Sequence, residues 1–363
     1  MGVCTDRVVM RGKGVQITIV VVVYNAENYV ERCLNSLIQQ SDQHFRVVIV
    51  DDGSTDRSRE ICRAMMEKVE FETVLLEQPH RGVAEARNCG LQHVTTEYVL
   101  FLDCDDWLEA DTVSSLLSME QDQKPELIVY GFYYEAVNQR NYPVSSRTKR
   151  VLSGKQEIQD HFVALWNSGL MYSVCNKMFR ADLLSTHRIF FQNFSFGEDF
   201  EFCKDVMRFC NRLMITDRCF YHYTCHVKGS LSTVYREDLF EIRLREHRDF
   251  VRYFYEMDQM TPQAEEFLAR RHIERIVGCV ENECSPFSRK NVKQRLSKIK
   301  EIIDDPQTAS CAEKAKLTSL RMKILIFPIR TNLEVKECSR TARLFRRWST
   351  PVCAPPATVP SAA

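Results

Sequence analysis

Residues 17–23 read Ile-Thr-Ile-Val-Val-Val-Val, an unbroken run in which every side chain is β-branched. A run of this length without a polar face is typical of a parallel strand that is buried on both sides. A second apolar run follows at Phe45–Val50, and apolar residues recur at helical spacing between the two, over Glu27–Gln40. These stretches predict a strand, a helix and a second strand of an α/β sheet.

The alternation of strands and helices continues to about residue 135. The remaining predicted elements are helices at Arg57–Lys68, Gly82–His93 and Asp111–Glu120 and strands at Thr73–Leu76, Tyr98–Leu102 and Leu127–Phe132. Because the connections are short, we predict a doubly wound α/β fold with right-handed crossovers. Sheets of this kind bind ligands outside the carboxyl ends of their strands.

Polar clusters follow three of the predicted strands, at Tyr24-Asn25, Asp51–Asp56 and Asp103–Asp106. The carboxyl ends of parallel strands lie on one edge of a sheet, so we expect the three clusters to converge there. In the second cluster Gly53 permits a tight turn, and a polar residue after it can cap the next helix. A ligand with hydrogen-bond donors, such as a nucleobase with its ribose, would suit two neighbouring acidic clusters.

Asp103 and Asp105 are expected on the same side of an extended chain, because side chains alternate along a strand. Two carboxylates this close repel each other unless a positive charge lies between them. A hard divalent cation such as Mg²⁺ or Mn²⁺ suits these oxygen ligands and can bridge to a diphosphate. The alternative is a solvated acidic turn that caps the helix at Asp111. Arg87 is expected at the same edge, either on phosphate oxygens or in a structural ion pair.

Composition and charge narrow the class of protein. The 363 residues are 44% hydrophobic and carry a formal net charge of zero, which gives no general basic field for nucleic acid. Fifteen cysteines without a CxxC pair are expected to be reduced thiols packed as small apolar residues. Residues 1–14 do not resemble a signal peptide, and no apolar run is long enough to cross a bilayer. We therefore expect a cytoplasmic protein.

The motifs, taken together, resemble those of family-2 glycosyltransferases. The shared segments are, in order, Tyr24-Asn25, DDGSTD at 51–56, Ala86-Arg87-Asn88, FLDCDD at 101–106, Asn176–Arg180 and FGED at 196–199. The resemblance covers about Val15–Ser232 and implies the GT-A fold, a mixed, mostly parallel sheet flanked by helices, here with a mostly helical C-terminal extension. It also implies transfer of a sugar from a nucleotide-sugar, UDP being the expected nucleotide, to an acceptor hydroxyl.

The resemblance further implies how the donor is held. Asp52 would contact the nucleobase, and the backbone at Val23 and Tyr24 would line its pocket. Arg87 would help to hold the nucleotide, and Asp103 would face the ribose.

It also implies a metal site and a base. Asp105 would ligate Mn²⁺ or Mg²⁺ on the diphosphate, with Asp103 and His226 as further candidate ligands. Asp199 would be the catalytic base of an inverting displacement, with Glu198 beside it for orientation or acceptor binding.

Two of these assignments have alternatives. Many relatives carry arginine where His226 stands, so this histidine could instead contact the diphosphate and is equally a packed side chain. A zinc site formed by Cys219, His222, Cys225 and His226 is a remote alternative. Asp199 is alternatively the N-cap of a helix over Phe200–Phe209.

Domain boundaries follow the same patterns. We predict a leader at 1–14, a GT-A domain at 15–235, a helical region at 236–330 and a basic, then Pro/Ala-rich tail at 331–363. Within the GT-A domain the nucleotide-binding part is 15–135 and the acceptor and catalytic part is 150–235. A polar loop is predicted at Asn138–Ser153, a helix around Glu157–Leu165 and helical pattern from Glu237 to about Ile303.

The acceptor is expected to be a glycan or a lipid-linked sugar of surface polysaccharide synthesis. The stretch Arg340–Trp348 is basic and aromatic, which suits peripheral contact with an anionic membrane or, alternatively, a solvated helix. A nucleotidyltransferase is disfavoured, because the first strand ends in Tyr24-Asn25 instead of a glycine-rich phosphate loop. A non-catalytic nucleotide-sugar-binding module is disfavoured by the intact Asp103, Asp105 and Asp199.

Overall fold

A computed structural model describes residues 4–6, 16–135, 141–194, 197–225 and 235–316. The described residues pack as two compact units. The first contains the residues up to 161 together with 168–225, and the second contains 162–167 together with 235–316. The boundary predicted at residue 235 stays a prediction.

The strands of the described chain form one mixed sheet in the first unit. They are, in chain order, β1 (Cys4–Asp6), β2 (Ile17–Val23), β3 (Phe45–Asp51), β4 (Thr73–Glu77), β5 (Tyr98–Asp103), β6 (Trp107–Leu108), β7 (Leu127–Glu135), β8 (Tyr142–Val144), β9 (Arg150–Ser153), β10 (Lys177–Arg180) and β11 (Arg212–Thr224). The main order across the sheet is β1-β4-β3-β2-β5-β10-β7-β11-β6.

Four neighbouring parallel strands, β4, β3, β2 and β5, form the centre of this sheet. Their register places Val23 opposite Asp51 and Val22 opposite Asp103. The polar clusters after these strands therefore lie at one edge, as predicted. Every side chain of β2 and β3 is buried, which explains why their sequences show no polar face.

The helices complete both units. They are α1 (Val30–Ile38), α2 (Ser58–Met66), α3 (Val83–Leu91), α4 (Thr112–Gln123), α5 (Lys155–Asp160), α6 (Phe162–Asn167), α7 (Ala181–Thr186), α8 (Glu198–Phe209), α9 (Leu239–Glu256), α10 (Pro262–Glu283), α11 (Val292–Asp304) and α12 (Pro306–Lys314). Of these, α6 and α9–α12 belong to the second unit. The mostly parallel sheet with flanking helices and a helical C-terminal region confirms the predicted fold class.

Two local predictions are wrong. The segment predicted as a loop at Asn138–Ser153 contains β8 and β9, which pair with β7 and β11 through backbone hydrogen bonds that need no apolar pattern. The single helix predicted around Glu157–Leu165 is interrupted at His161 and forms α5 and α6.

The second unit has its own core. Apolar residues of α9, α10, α11 and α12 form it, among them Phe240, Ile273, Ile276, Ile299 and Ile302. Helix α12 lies within the helical region predicted at 236–330, past the point near Ile303 where the predicted helical pattern ends. Among the described helices, none is long and apolar enough to cross a membrane. Arg340–Trp348 lies outside the described residues.

Candidate active site

The side chains after β3 organise the turn after β2. Ser54 Oγ accepts a hydrogen bond from Asn25 N at 3.1 Å, and Asp56 Oδ2 accepts one from Glu27 N at 3.1 Å. Asn25 has a positive φ of 47°, and its side-chain oxygen accepts a hydrogen bond from Thr55 N at 2.8 Å. These bonds fix the first turn of the site and delay the start of α1 to Val30, beyond the predicted Glu27.

Asp52 is buried and its carboxylate is fully engaged by the chain itself. Its Oδ1 accepts from Gln78 Nε2 at 2.7 Å and from Arg81 N at 2.9 Å. Its Oδ2 lies 2.9 Å from Gly82 N and 2.8 Å from His80 Nδ1. A carboxylate offers about four acceptor positions, so a nucleobase N–H would have to replace one of these donors. His80, whose side chain is 53% exposed, is the most easily displaced of them.

The ring of His80 also stacks on Tyr24, with centroids 4.0 Å apart and planes inclined by 15°. Tyr24 is exposed, whereas Val23 is fully buried and offers its carbonyl to Asp52 N at 2.8 Å. The flat surface that Tyr24 presents is therefore available to a planar ring. The roles of Val23, Tyr24 and Asp52 in nucleobase binding stay predictions.

Arg87, on α3, joins the acidic residues that the sequence separates most widely. Its Nη2 lies 2.9 Å from Asp103 Oδ1 at the end of β5. Its Nη1 lies 2.5 Å from Asp199 Oδ1 and 3.1 Å from Glu198 Oε1, both in the first turn of α8. The guanidinium is buried and lies over the Phe191 ring at 5.3 Å. In the free protein, Arg87 thus forms the ion pairs that were one of its two expected roles.

The second oxygen of Asp199 is held as well. Its Oδ2 accepts bonds of 3.2 Å from Ser173 Oγ and from Val174 N. Helix α8 begins at Glu198 after Gly197 in the left-handed conformation, so Asp199 lies inside the helix and is not its N-cap. Burial raises the pKa of Asp199 and of Glu198, against the opposing effect of Arg87. A raised pKa brings a carboxylate closer to the range that general-base catalysis favours.

Lys177, whose role the motifs do not indicate, holds the loop that contacts Asp199. Its fully buried ammonium group donates to Leu170 O and Ser173 O, each at 2.5 Å, and to Asn176 Oδ1 at 2.9 Å. Burial lowers the pKa of this lysine. All three ammonium hydrogens therefore fix backbone and side-chain oxygens of residues 170–176.

The acidic segment after β5 divides into carboxylates with different surroundings. The strand ends at Asp103 and residues 104–105 form a turn, so the predicted strand alternation does not reach Asp105. Asp106 is buried and accepts from Tyr221 Oη at 2.5 Å and Thr224 N at 2.7 Å. It is thus occupied in supporting the turn.

Asp105 is the carboxylate that fits a cation best. Burial, and next the charge of Asp103, raise the pKa of Asp105 to about 6. The only carboxylate hydrogen bond shown for Asp105 within the described chain comes from its own backbone amide. Its charge is therefore poorly compensated, and a divalent cation would stabilise it.

The described residues contain no group of three or more acidic, histidine or cysteine side chains that could hold a metal alone. This suits Mg²⁺ or Mn²⁺ bound by one or two carboxylates, with substrate phosphates and water completing the shell. His226 lies outside the described residues, and its predicted metal role is untested. His222 is engaged at both ring nitrogens, by Glu135 at 2.6 Å and Glu109 at 2.8 Å, and stacks on Trp107. These contacts leave it unsuited to the alternative zinc site.

Residues 18–188 match the model of glycosyl transferase family 2. The chain carries a family-2 glycosyltransferase domain. This match confirms the resemblance inferred from the motifs. The solved structure of Staphylococcus aureus TarS residues 1–349, in complex with UDP-GlcNAc, superposes with a TM-score of 0.62 over 92% of each chain at 22% identity. The agreement shows that the fold is GT-A.

Curated glycosyltransferases resemble parts of this chain. The glycosyltransferase GlyA of Streptococcus pneumoniae serotype 4 is 31% identical over 232 residues, which are 61% of this chain and 32% of GlyA. The uncharacterized glycosyltransferase EpsJ of Bacillus subtilis is 23% identical over 78% of this chain and 83% of EpsJ. The poly(ribitol-phosphate) β-N-acetylglucosaminyltransferase TarS of S. aureus strain MW2 is 28% identical over 62% of this chain and 39% of TarS. The chain thus matches about a third of GlyA.

Proposed function

We propose that this domain transfers a sugar from a UDP-sugar to an acceptor hydroxyl with inversion at the anomeric carbon. One observation supports this proposal most directly. The guanidinium of Arg87 contacts Asp103 on one side and Asp199 on the other. The strand-end carboxylate expected beside the donor and the expected base are thus separated by one planar group. A donor sugar lying over this group would have both within reach.

The donor would bind along the edge of the sheet. Its nucleobase would stack on Tyr24 and donate to Asp52 in place of His80, with the backbone at Val23 beside it. Asp103 would face the ribose, and Asp105 would hold Mn²⁺ or Mg²⁺ together with the diphosphate. The cation, when bound, supplies positive charge to the departing diphosphate.

Asp199 would act as the base on the acceptor. Its carboxylate takes the proton of the acceptor hydroxyl as the hydroxyl oxygen attacks the anomeric carbon and the bond to the diphosphate oxygen breaks. Ser173 Oγ and Val174 N hold the other carboxylate oxygen, which fixes the direction of the oxygen that accepts the proton. Glu198 would orient Arg87 or the acceptor. Arg87 would transfer part of its contact to the diphosphate, because a guanidinium binds phosphate oxygens well.

The donor and acceptor proposals draw on the named relatives. TarS is an N-acetylglucosaminyltransferase that acts on poly(ribitol phosphate), which makes UDP-GlcNAc the first donor to test. A related sequence is named as a teichoic acid poly(glycerol phosphate) polymerase of Staphylococcus epidermidis, 26% identical over 261 residues. We propose a surface polysaccharide or a related cell-wall glycan, free or lipid-linked, as the acceptor.

Transfer with and without Asp199 tests the proposal. The wild-type chain is incubated with UDP-GlcNAc and Mn²⁺, and UDP release is measured with acceptor glycans of the cell-wall type. Asp199→Asn should reduce the rate of transfer at least a thousandfold, while a UDP-dependent thermal shift persists. Asp205→Asn, on the same helix and away from Arg87, is the matched control. An Asp199→Asn variant with near-normal transfer would disprove the assignment of the base.

A further inference from the structure

Two exposed apolar side chains of the second unit, Phe287 and Val292, lie five positions apart in the chain. Phe287 is 74% exposed, in the connection between α10 and α11, and Val292 is 72% exposed at the first residue of α11. Phenylalanine is normally among the most buried residues. Singly exposed apolar side chains are nevertheless common on protein surfaces, so the neighbours of Phe287 and Val292 decide what the pair can bind.

Hydrogen bonds order the connection that contains Phe287. The guanidinium of Arg295 donates to Ser288 O at 2.7 Å and to Lys290 O at 2.9 Å. Asn291 and Gln294 form a reciprocal capping box at the start of α11. These bonds fold the connection back against α11, so Phe287 stays exposed although its neighbours are ordered.

The same segment is strongly basic. Residues 285–300 contain six lysines and arginines and no acidic residue. Two of the six, Lys290 and Lys298, pair with Glu283 and Glu241. A third, Arg295, donates to backbone oxygens of the connection.

The other three cations are Arg289, Lys293 and Lys300, which are exposed. No acidic partner is shown for them in the described part of the chain. Lys293 and Lys300 are seven residues apart on α11, which places them on the same face. The exposed apolar pair therefore lies beside cations that are available to an anionic surface.

We propose that this surface, defined by Phe287, Arg289, Val292, Lys293 and Lys300, docks on an anionic lipid bilayer. The apolar pair enters the boundary between headgroups and acyl chains, while the cations contact headgroup phosphates. A soluble anionic polymer would engage the cations and leave Phe287 in water, whereas a bilayer accommodates both kinds of group. The surface is separate from the basic stretch Arg340–Trp348, and the inference does not depend on the transfer reaction.

Vesicle binding of the full chain tests this docking surface. Co-sedimentation is measured with phosphatidylcholine vesicles and with vesicles that also contain phosphatidylglycerol. Wild type should bind only the anionic vesicles, and added salt should weaken binding by screening the cations. Replacing the three cations together, as Arg289→Gln, Lys293→Gln and Lys300→Gln, should lower the partition coefficient roughly a hundredfold. The double change Phe287→Ser and Val292→Ser should lower it about tenfold or more.

Matched controls remove the same charge and the same apolar area elsewhere. Lys149→Gln, Arg150→Gln and Lys155→Gln change three exposed cations of the first unit, and Phe190→Ser changes a phenylalanine that is 57% exposed. Both controls should bind like wild type.

Three results would overturn the proposal. These are a wild-type chain that ignores anionic vesicles, docking variants that bind as well as wild type, or charge controls that lose as much binding as the docking variants. Light scattering is run in parallel. If Phe287→Ser with Val292→Ser changes only the oligomeric mass, the apolar pair contacts a second copy of the chain and the proposal is wrong.

Discussion

One nitrogen of Arg87 lies 2.5 Å from an oxygen of Asp199, although 112 residues separate the two in the chain. The same guanidinium serves Asp103 and Glu198, so one positive charge faces three carboxyl groups. Burial raises the pKa of Asp199 and of Glu198 in this setting. The free site is therefore short of positive charge, which a divalent cation would supply.

Replacing Arg87 should destabilise the protein. Arg87→Met leaves three partly buried carboxyl groups without their cation, and we expect a loss of about 3–5 kcal/mol in the free energy of unfolding at neutral pH. Urea denaturation followed by circular dichroism measures it. The loss should shrink as the pH falls, because protonated carboxyl groups no longer repel one another.

Arg63→Met is the control for this change. Arg63 is half-exposed and pairs with Glu77 near the surface, and such pairs contribute little. An Arg87→Met protein as stable as the Arg63→Met protein would show that the three ion pairs are not formed in solution.

Lys177 should matter for both stability and catalysis. Lys177→Met removes three hydrogen bonds. Leu170 O keeps its bond from Asn176 Nδ2, but Ser173 O is left with only the weak thiol donor of Cys203, so we expect a loss of about 1–3 kcal/mol in the free energy of unfolding. The loop would then hold Asp199 less firmly. We expect kcat to fall more than the KM for the donor changes, because the loop contacts the base and not the nucleotide. Steady-state kinetics with UDP-GlcNAc measures this ratio, and an unchanged kcat would contradict it.

Metal affinity should depend on pH through Asp105. Since its pKa is raised to about 6 by burial and by Asp103, protons compete with the cation below that value. Affinity for Mn²⁺ with UDP should rise between pH 5 and pH 7, as measured by isothermal titration calorimetry. Asp105→Asn should bind Mn²⁺ weakly at every pH, whereas the half-exposed Asp111→Asn should behave like wild type.

Acid should unfold the second unit through two buried histidines. His247 and His272 pack with ring centroids 4.3 Å apart. Burial, above all, lowers the pKa of His247 to about 3 and that of His272 to about 4. The unfolded chain, with pKa values near 6.5, binds more protons below that pH, so stability is full above about 6.5 and falls as the pH drops.

Denaturant titrations at pH 7.5 and pH 5 test this prediction. His272→Leu should lose less stability on acidification than wild type, by on the order of 1–2 kcal/mol. His44→Leu changes an exposed histidine and should follow wild type. Asp105 acts in the opposite direction, because its raised pKa lets the folded state keep a proton that the unfolded chain loses. The comparison between variants separates the two effects.

Sequence reasoning succeeded where burial leaves a pattern. The strand predicted at Ile17–Val23 matches β2 residue for residue, because a strand buried on both faces tolerates few side chains other than apolar ones. Strands β8 and β9 were missed, since they are only three and four residues long and are held by pairing with β7 and β11. Their existence depends on backbone hydrogen bonds that leave no periodicity in the sequence.

In the candidate site, too, some residues could be predicted from the sequence and others could not. The motifs marked Asp103, Arg87 and Asp199, and the fold brings these side chains together. The contacts that hold Asp199 were not predictable, because Lys177 acts on backbone carbonyl groups and Val174 contributes only its amide. His80 was missed as a partner of Tyr24 and Asp52, since a histidine in a turn gives no sign of where its ring will stack.

The acidic turn after β5 can be completed only late in protein synthesis, because it depends on β11. Strands β2 to β5 can pair once residue 103 has emerged from the ribosome, but Asp106 receives its two hydrogen bonds from Tyr221 and Thr224, at the end of β11. The short strand β6 likewise pairs with β11. A nascent chain stalled before residue 221 would contain the four central parallel strands without the hydrogen bonds that hold Asp106. The turn therefore reaches its final shape only after more than a hundred further residues have been translated.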